Sequence, residues 1–123
     1  MFYLTDARGA MGLGGKEEIT MALTGSYLTA IDPKTAKVAW RHISRTDDKD
    51  FTPLISELLS TAGKLLFAGD PAGNLVAFDP ANGDILWHSY TGRLTNAPQT
   101  YMLDGHQYLL TAAGDTLFAF KLY

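Results

Sequence analysis

The chain has no cysteine among its 123 residues. That excludes a disulfide framework and thiolate chemistry. No apolar run is long enough to cross a bilayer as a helix. Basic residues are few and scattered, and the formal charge is −3. A nucleic-acid surface and a polybasic membrane anchor are both excluded, so neither nucleic acid nor membrane insertion is expected. The opening MFYLTDARG has no basic segment followed by an apolar one, so it is not a signal peptide. Gly9, Gly12, Gly14 and Gly15 break order over Asp6–Gly15. They lack both the Gly-Lys-Ser/Thr ending and the GxGxxG spacing of a nucleotide loop. Asp47, Asp48 and Asp50 lack the mid-loop glycine and distal glutamate of an EF-hand, so Ser44–Asp50 reads as a solvated loop. His42, His88 and His106 share no metal-ligand spacing. No catalytic residue and no metal ligand can be assigned.

What the chain does have is a stretch that recurs. Leu75–Trp87 reads LVAFDPANGDILW. Leu75, Ala77 and Asp79 alternate with Val76 and Phe78, the period of two that a strand requires. Asp79-Pro80-Ala81-Asn82-Gly83 is turn chemistry: an Asp to accept from the backbone two residues on, a Pro to preset φ, a Gly for positive φ. Ile85-Leu86-Trp87 begins the return strand. Leu28–Trp40 reads LTAIDPKTAKVAW, with Ala30, Asp32, Pro33 and Trp40 at the spacing of Ala77, Asp79, Pro80 and Trp87. Leu117-Phe118-Ala119-Phe120 begins a third copy. The copies are about 47 and about 42 residues apart, the period of four-stranded propeller blades. A tryptophan at a strand start offers a large apolar area and one donor, and a small alanine on the facing strand leaves it room. Trp40 and Trp87 are therefore expected in equivalent positions, each mostly buried between neighbouring sheets.

The pattern Ala-x-Asp-x-x-x-Gly-x-x-x-Trp resembles the tryptophan-docking motif of the quinoprotein alcohol dehydrogenases, eight-bladed propellers that bind pyrroloquinoline quinone (PQQ). It falls on Ala77, Asp79, Gly83 and Trp87. It recurs at Ala30, Asp32 and Trp40, where Ala36 replaces the glycine. The run APQTYMLDGHQYLL is similar to the last blade of that family. The resemblance implies that each tryptophan wedges between blades and bonds through its indole N–H to backbone of the next.

The expected fold is all-β, built of antiparallel four-stranded blades in a partial β-propeller. Ten strands are expected: three before Phe51, four in Phe51–Tyr90 and three after. This divides the chain into an incomplete blade over 1–50, a complete one over 51–92 and an incomplete last one over 93–123. Phe2-Tyr3-Leu4 begins the first strand, and Ile19–Leu23 reads as either a short strand or a connecting loop. Leu54, Ile55, Leu58 and Leu59 have helical spacing, but the repeat needs an inner strand near Ser56–Thr61. Asp104-Gly105 is a strong hairpin signal. Ala36 falls where the turn wants positive φ.

The resemblance also implies PQQ and a metal ion in the intact family, with the metal ligands and catalytic base on earlier blades. No residue of this chain matches those. Arg8 is a candidate for a quinone carboxylate, against the reading of a solvated loop arginine. Gly114 and Asp115 are candidates by their place at the end of the last blade's second strand. The expected function is that of the C-terminal blades of a PQQ-dependent alcohol dehydrogenase-like protein, inactive alone and with no cofactor bound. The alternative is a non-enzymatic propeller scaffold or interaction module. A periplasmic location follows from the resemblance. The lack of an export signal, and a start at Met1 inside a blade, suggest a missing N-terminal part. Tyr123 reads as a natural end. Bare faces and edges call for a homo-oligomer or for the remainder of the propeller.

Overall fold

A computed structural model describes residues 2–11, 21–44 and 58–122, with side-chain burial described over 28–43 and 58–122. The described residues form ten strands: β1 (Phe2–Met11), β2 (Met21–Asp32), β3 (Lys37–Ser44), β4 (Leu59–Ser60), β5 (Leu66–Gly69), β6 (Asn74–Phe78), β7 (Ile85–Tyr90), β8 (Gln99–Leu103), β9 (His106–Ala113) and β10 (Thr116–Leu122). They pair antiparallel into three meandering sheets, in the orders β1-β2-β3, β4-β5-β6-β7 and β8-β9-β10. The fold is an all-β partial propeller of one four-stranded sheet between two three-stranded ones.

The repeat governs the geometry down to an irregularity. Ala30 faces Trp40, and a bulge then sets Ile31 opposite Val38. Ala77 faces Trp87, and the same bulge sets Phe78 opposite Ile85. The turns match as well. The Lys34 amide donates to Asp32 Oδ1 at 2.9 Å, and the Ala81 amide donates to Asp79 Oδ1 at 2.8 Å. The amides of Ala36 and Gly83 each close the turn onto the Asp carbonyl at 2.8 Å. In the third sheet Asp104 and Gly105 have φ of 49° and 75°, the paired positive values of a type I′ hairpin.

The core is two seams, one on each face of the second sheet. Leu66, Ala68, Val76 and Phe78 pack with Leu28 of the first sheet, and Trp40 and Leu58 lie against them. Phe67, Leu75 and Ala77 pack with Leu109 of the third sheet, flanked by Leu59, Leu65, Leu94, Phe120 and Leu122. Alternation along β5 and β6 sends successive side chains to opposite seams. That is why those strands read as continuous apolar runs. Each fully buried Leu or Phe contributes about 1.5–3 kcal/mol.

Three expectations need correction or narrowing. Order does not break at Asp6: β1 continues to Met11, and Arg8 is a strand residue. Its ladder absorbs Gly9 at a bulge between Arg8 and Gly9, where a small residue costs least. The first strand of the second sheet is described only as Leu59–Ser60, since 51–57 lie outside the described residues. The first of the three strands expected after Tyr90 is Gln99–Leu103. Residues 12–20 and 45–50 also lie outside the described residues, so Ile19 and the loop with Asp47, Asp48 and Asp50 are not placed.

Candidate functional site

The residues singled out by the repeat are divided between the two seams. Asp32 and Asp79 each cap their own turn, so their carboxylates are engaged in local structure. Trp40 lies in β3, beyond the first of these turns, and reaches across to the second. Its indole Nε1–H donates to the Pro80 carbonyl at 2.9 Å. Its six-membered ring lies against Gly83. A Cβ built on Gly83 would stand 2.5 Å from Trp40 Cε3 and 2.9 Å from Cδ2 and Cζ3. Gly83 has φ of 80°. Two constraints therefore coincide there, since neither the backbone conformation nor the indole tolerates a side chain. Ala30 is fully buried opposite Trp40, and Ala77 is buried opposite Trp87.

Trp87 departs from the expectation that both tryptophans are mostly buried. It is 40% exposed. Its ring meets Phe120 edge to face, with centroids 5.3 Å apart. The cause lies in the third sheet. Trp40 is covered by the turn after β6, but no such turn comes after β10 among the described residues. Without it Trp87 gains an aromatic contact and no carbonyl acceptor among the described residues.

His42 sits in the first seam with its ring edge-on to Phe78, centroids 5.1 Å apart. Burial pushes its pKa below the ordinary value, and the nearby Asp70 carboxylate opposes that shift. Asp70 is itself committed to its turn, accepting from the Asn74 amide at 2.8 Å and from the Asn74 side chain. Sequence reasoning missed both His42 and the Pro80 carbonyl. Pro80 was visible as a turn former repeated at Pro33, but nothing local says that its oxygen would meet an indole forty residues away.

The structure does not bring the three quinone candidates together. Arg8 lies in β1 opposite Gly25 in the first sheet. Gly114 and Asp115 form the exposed turn between β9 and β10 in the third. A Cβ on Gly114 would meet nothing within 4 Å, and the Thr116 hydroxyl donates to Asp115 Oδ1 at 3.1 Å. The second sheet stands between the two places. Arg8 and the Gly114-Asp115 turn therefore lie on different sheets. Among the described residues no group of three or more His, Cys, Asp or Glu side chains could hold a metal ion.

Repeated turns, a period near 45 residues and an indole laid on the next sheet's glycine point to one kind of repeat. A profile of PQQ repeats, described as outer membrane protein assembly factor BamB, matches residues 6–121. The chain belongs to this PQQ-repeat family. It is 40% identical over 88 residues to the quinoprotein alcohol dehydrogenase PedH of Pseudomonas putida KT2440, a match covering 71% of this chain and 14% of that protein. It is 41% identical over 90 residues to a quinohemoprotein alcohol dehydrogenase of Comamonas testosteroni, covering 71% and 12%. The solved quinohemoprotein alcohol dehydrogenase ADHIIG of Pseudomonas putida HK5 superposes with a TM-score of 0.62 at 32% identity, over 76% of this chain and 13% of that one. This PQQ-repeat chain thus matches only about a seventh of the length of these curated relatives. No helix of the described residues is long and apolar enough to cross a membrane.

Proposed function

We propose that this chain supplies blades to a PQQ-dependent alcohol dehydrogenase-like propeller and is catalytically silent alone. The observation that carries this reading is the contact of Trp40 with Pro80 and Gly83. It is an interlocking element that fixes one sheet against the next, and Ala30, Asp32, Trp40, Ala77, Asp79, Gly83 and Trp87 serve it as a tryptophan-docking motif. The names of the relatives support the quinoprotein branch. In this reading the sheets correspond to blade segments 1–50, 51–92 and 93–123, with the remaining blades of the propeller, or a second copy, as partner. The location is the periplasm, and the chain binds no quinone by itself. Catalysis by such enzymes needs a quinone, a metal and a base held together, and the protein's part is binding and orientation.

The test has two arms. The purified chain is assayed for dye-linked alcohol oxidation with added PQQ and calcium, where no turnover is expected and turnover would overturn the reading. It is then refolded with a quinoprotein alcohol dehydrogenase relative from which the matching segment has been deleted. Restored dye reduction is expected, and none would favour the second reading. That reading is a scaffold or interaction module without cofactor chemistry, and the assembly-factor description of the matching family favours it.

A further inference from the structure

The two outward faces of the stack are not alike. Register places Leu110 and Ala119 of the third sheet where the second has Phe67 and Ala77, and Leu117 where it has Leu75. In the second sheet these positions are buried against the third, at 1%, 4% and 0% exposure. On the outward face of the third sheet Leu117 is 71% exposed, Ala119 is exposed and Leu110 is half-buried, and Leu103 beside them is 52% exposed. Tyr101 and Tyr108 extend this face as a stacked pair, centroids 5.3 Å apart. The third sheet thus repeats outward the surface with which the second sheet binds a neighbour. Contiguous apolar surface of this kind marks an interface.

The outward face of the first sheet is apolar at Val38, beside the half-buried Ile31, and at Ile43. It differs from the internal seams in two ways. Thr29 stands where the second sheet has Val76, and its hydroxyl accepts from Arg41 Nε at 3.1 Å. Ala36 stands where the second sheet has Gly83, in the same turn and with φ of 55°. An indole laid on this turn as Trp40 lies on Gly83 would collide with the Ala36 methyl. The first sheet therefore takes a neighbour that brings no tryptophan to that point. The third sheet is such a neighbour: it has three strands among the described residues, and both tryptophans of the chain belong to the internal seams.

We propose that two copies of this chain stack head to tail, the outward face of the third sheet of one copy against the outward face of the first sheet of the next. The contact is heterologous, so a dimer keeps one free face of each kind, one on each copy, for further stacking. The inference rests on the stacking role proposed above and not on quinone chemistry. The dye-linked assay and the test below therefore fail separately.

The test is sedimentation velocity at micromolar concentrations on wild type, Leu117→Asp and Val38→Asp. Both substituted side chains are more than half exposed, so neither change should disturb the fold. Wild type should sediment above the single-chain mass, with a concentration-dependent distribution. Each variant alone should weaken self-association by more than about tenfold, because a carboxylate is forced into an apolar contact. An equimolar mixture of the two variants should form a 1:1 dimer and nothing larger, since each retains one intact face. That mixing result also shows that both variants are folded, and Leu103→Asp provides a second break on the third sheet. Monomeric wild type would overturn the proposal. So would unimpaired dimers of Val38→Asp, which would mean third-sheet faces pairing with each other, or association untouched by any of these changes. Ala36→Gly should leave association unchanged. Strengthening by more than about tenfold would show an indole arriving at that turn and would overturn the assigned geometry.

Discussion

The two seams start from the same motif and end differently. In the first, Trp40 has its N–H satisfied by the Pro80 carbonyl and its ring on Gly83. In the second, Trp87 meets Phe120 edge to face, finds no carbonyl acceptor among the described residues, and is 40% exposed. Each tryptophan faces a buried alanine across its own hairpin, and each hairpin carries the same bulge. The difference therefore does not come from the sheet that owns the tryptophan. It comes from the turn that the next sheet supplies or does not supply. An interlock of this kind is a property of a pair of sheets, and half of it can be present without the other half.

The sharpest way to break the comparison is to truncate both tryptophans. Trp40→Ala removes packing and leaves the Pro80 carbonyl without its donor, so a loss of about 3–5 kcal/mol is expected. Trp87→Ala should cost about 1–2 kcal/mol, because less area is buried and no hydrogen bond is lost. Denaturant unfolding of the two variants measures the gap. Equal losses would mean that the two seams are equivalent in solution. Gly83→Ala attacks the first seam from the other side. The added methyl meets the indole and forces alanine to positive φ, at a combined cost of about 2–4 kcal/mol. A loss below about 1 kcal/mol would show that Trp40 is free to slide off the turn.

Much of this was legible in the chain because the repeat is local. Asp79-Pro80-Ala81-Asn82-Gly83 specifies its turn by its own hydrogen bonds, and Leu75–Phe78 specifies its strand by alternation. Three features were not legible, each for a nonlocal reason. Gly9 looked like a breaker, yet a ladder with Leu23 and a bulge hold it in β1. Leu58 and Leu59 have helical spacing with Leu54 and Ile55, but they pack into opposite seams, as consecutive strand residues do. The exposure of Trp87 is set by the third sheet packed beside it, not by any residue near it in the chain. Of the candidate site, the repeat singled out Trp40 and Gly83, which the structure brings into contact. Arg8, Gly114 and Asp115 carried no such internal check, and the sheets separate them.

Acid should distinguish the seams as well. His42 lies in the first, and its counterpart in the second is Ser89. Burial depresses the pKa of His42 in the folded state, against a smaller opposing pull from Asp70. The unfolded chain therefore binds the proton more readily than the folded one. The stabilisation that His42 provides is complete above the unfolded value of about 6.5 and is lost as pH falls from there through the lower folded pKa. The melting temperature should drop between neutral and mildly acid pH, and His42→Gln should flatten that drop. An identical pH profile in the variant would show that the first seam does not oppose protonation of this ring.

The smallest effect is expected at Ala36, and it tests the comparison most cleanly because the two turns differ there by one methyl group. Ala36 and Gly83 make the same closing hydrogen bond at the same length, and both have positive φ, 55° and 80°. At Gly83 an indole explains the missing side chain. At Ala36 the side chain is exposed, so the methyl is set against backbone strain alone. Alanine at positive φ costs on the order of 1 kcal/mol, while glycine restores freedom to the unfolded chain and gives back part of that gain. Ala36→Gly should therefore be neutral or stabilising by up to about 1 kcal/mol. The same exchange in reverse at Gly83 should be the costly one described above. Chemical denaturation of both variants measures the pair. If Ala36→Gly lost stability by more than about 0.5 kcal/mol, the methyl would be making a contact that holds the first turn, and the two turns would no longer be the same structure with and without a tryptophan on top.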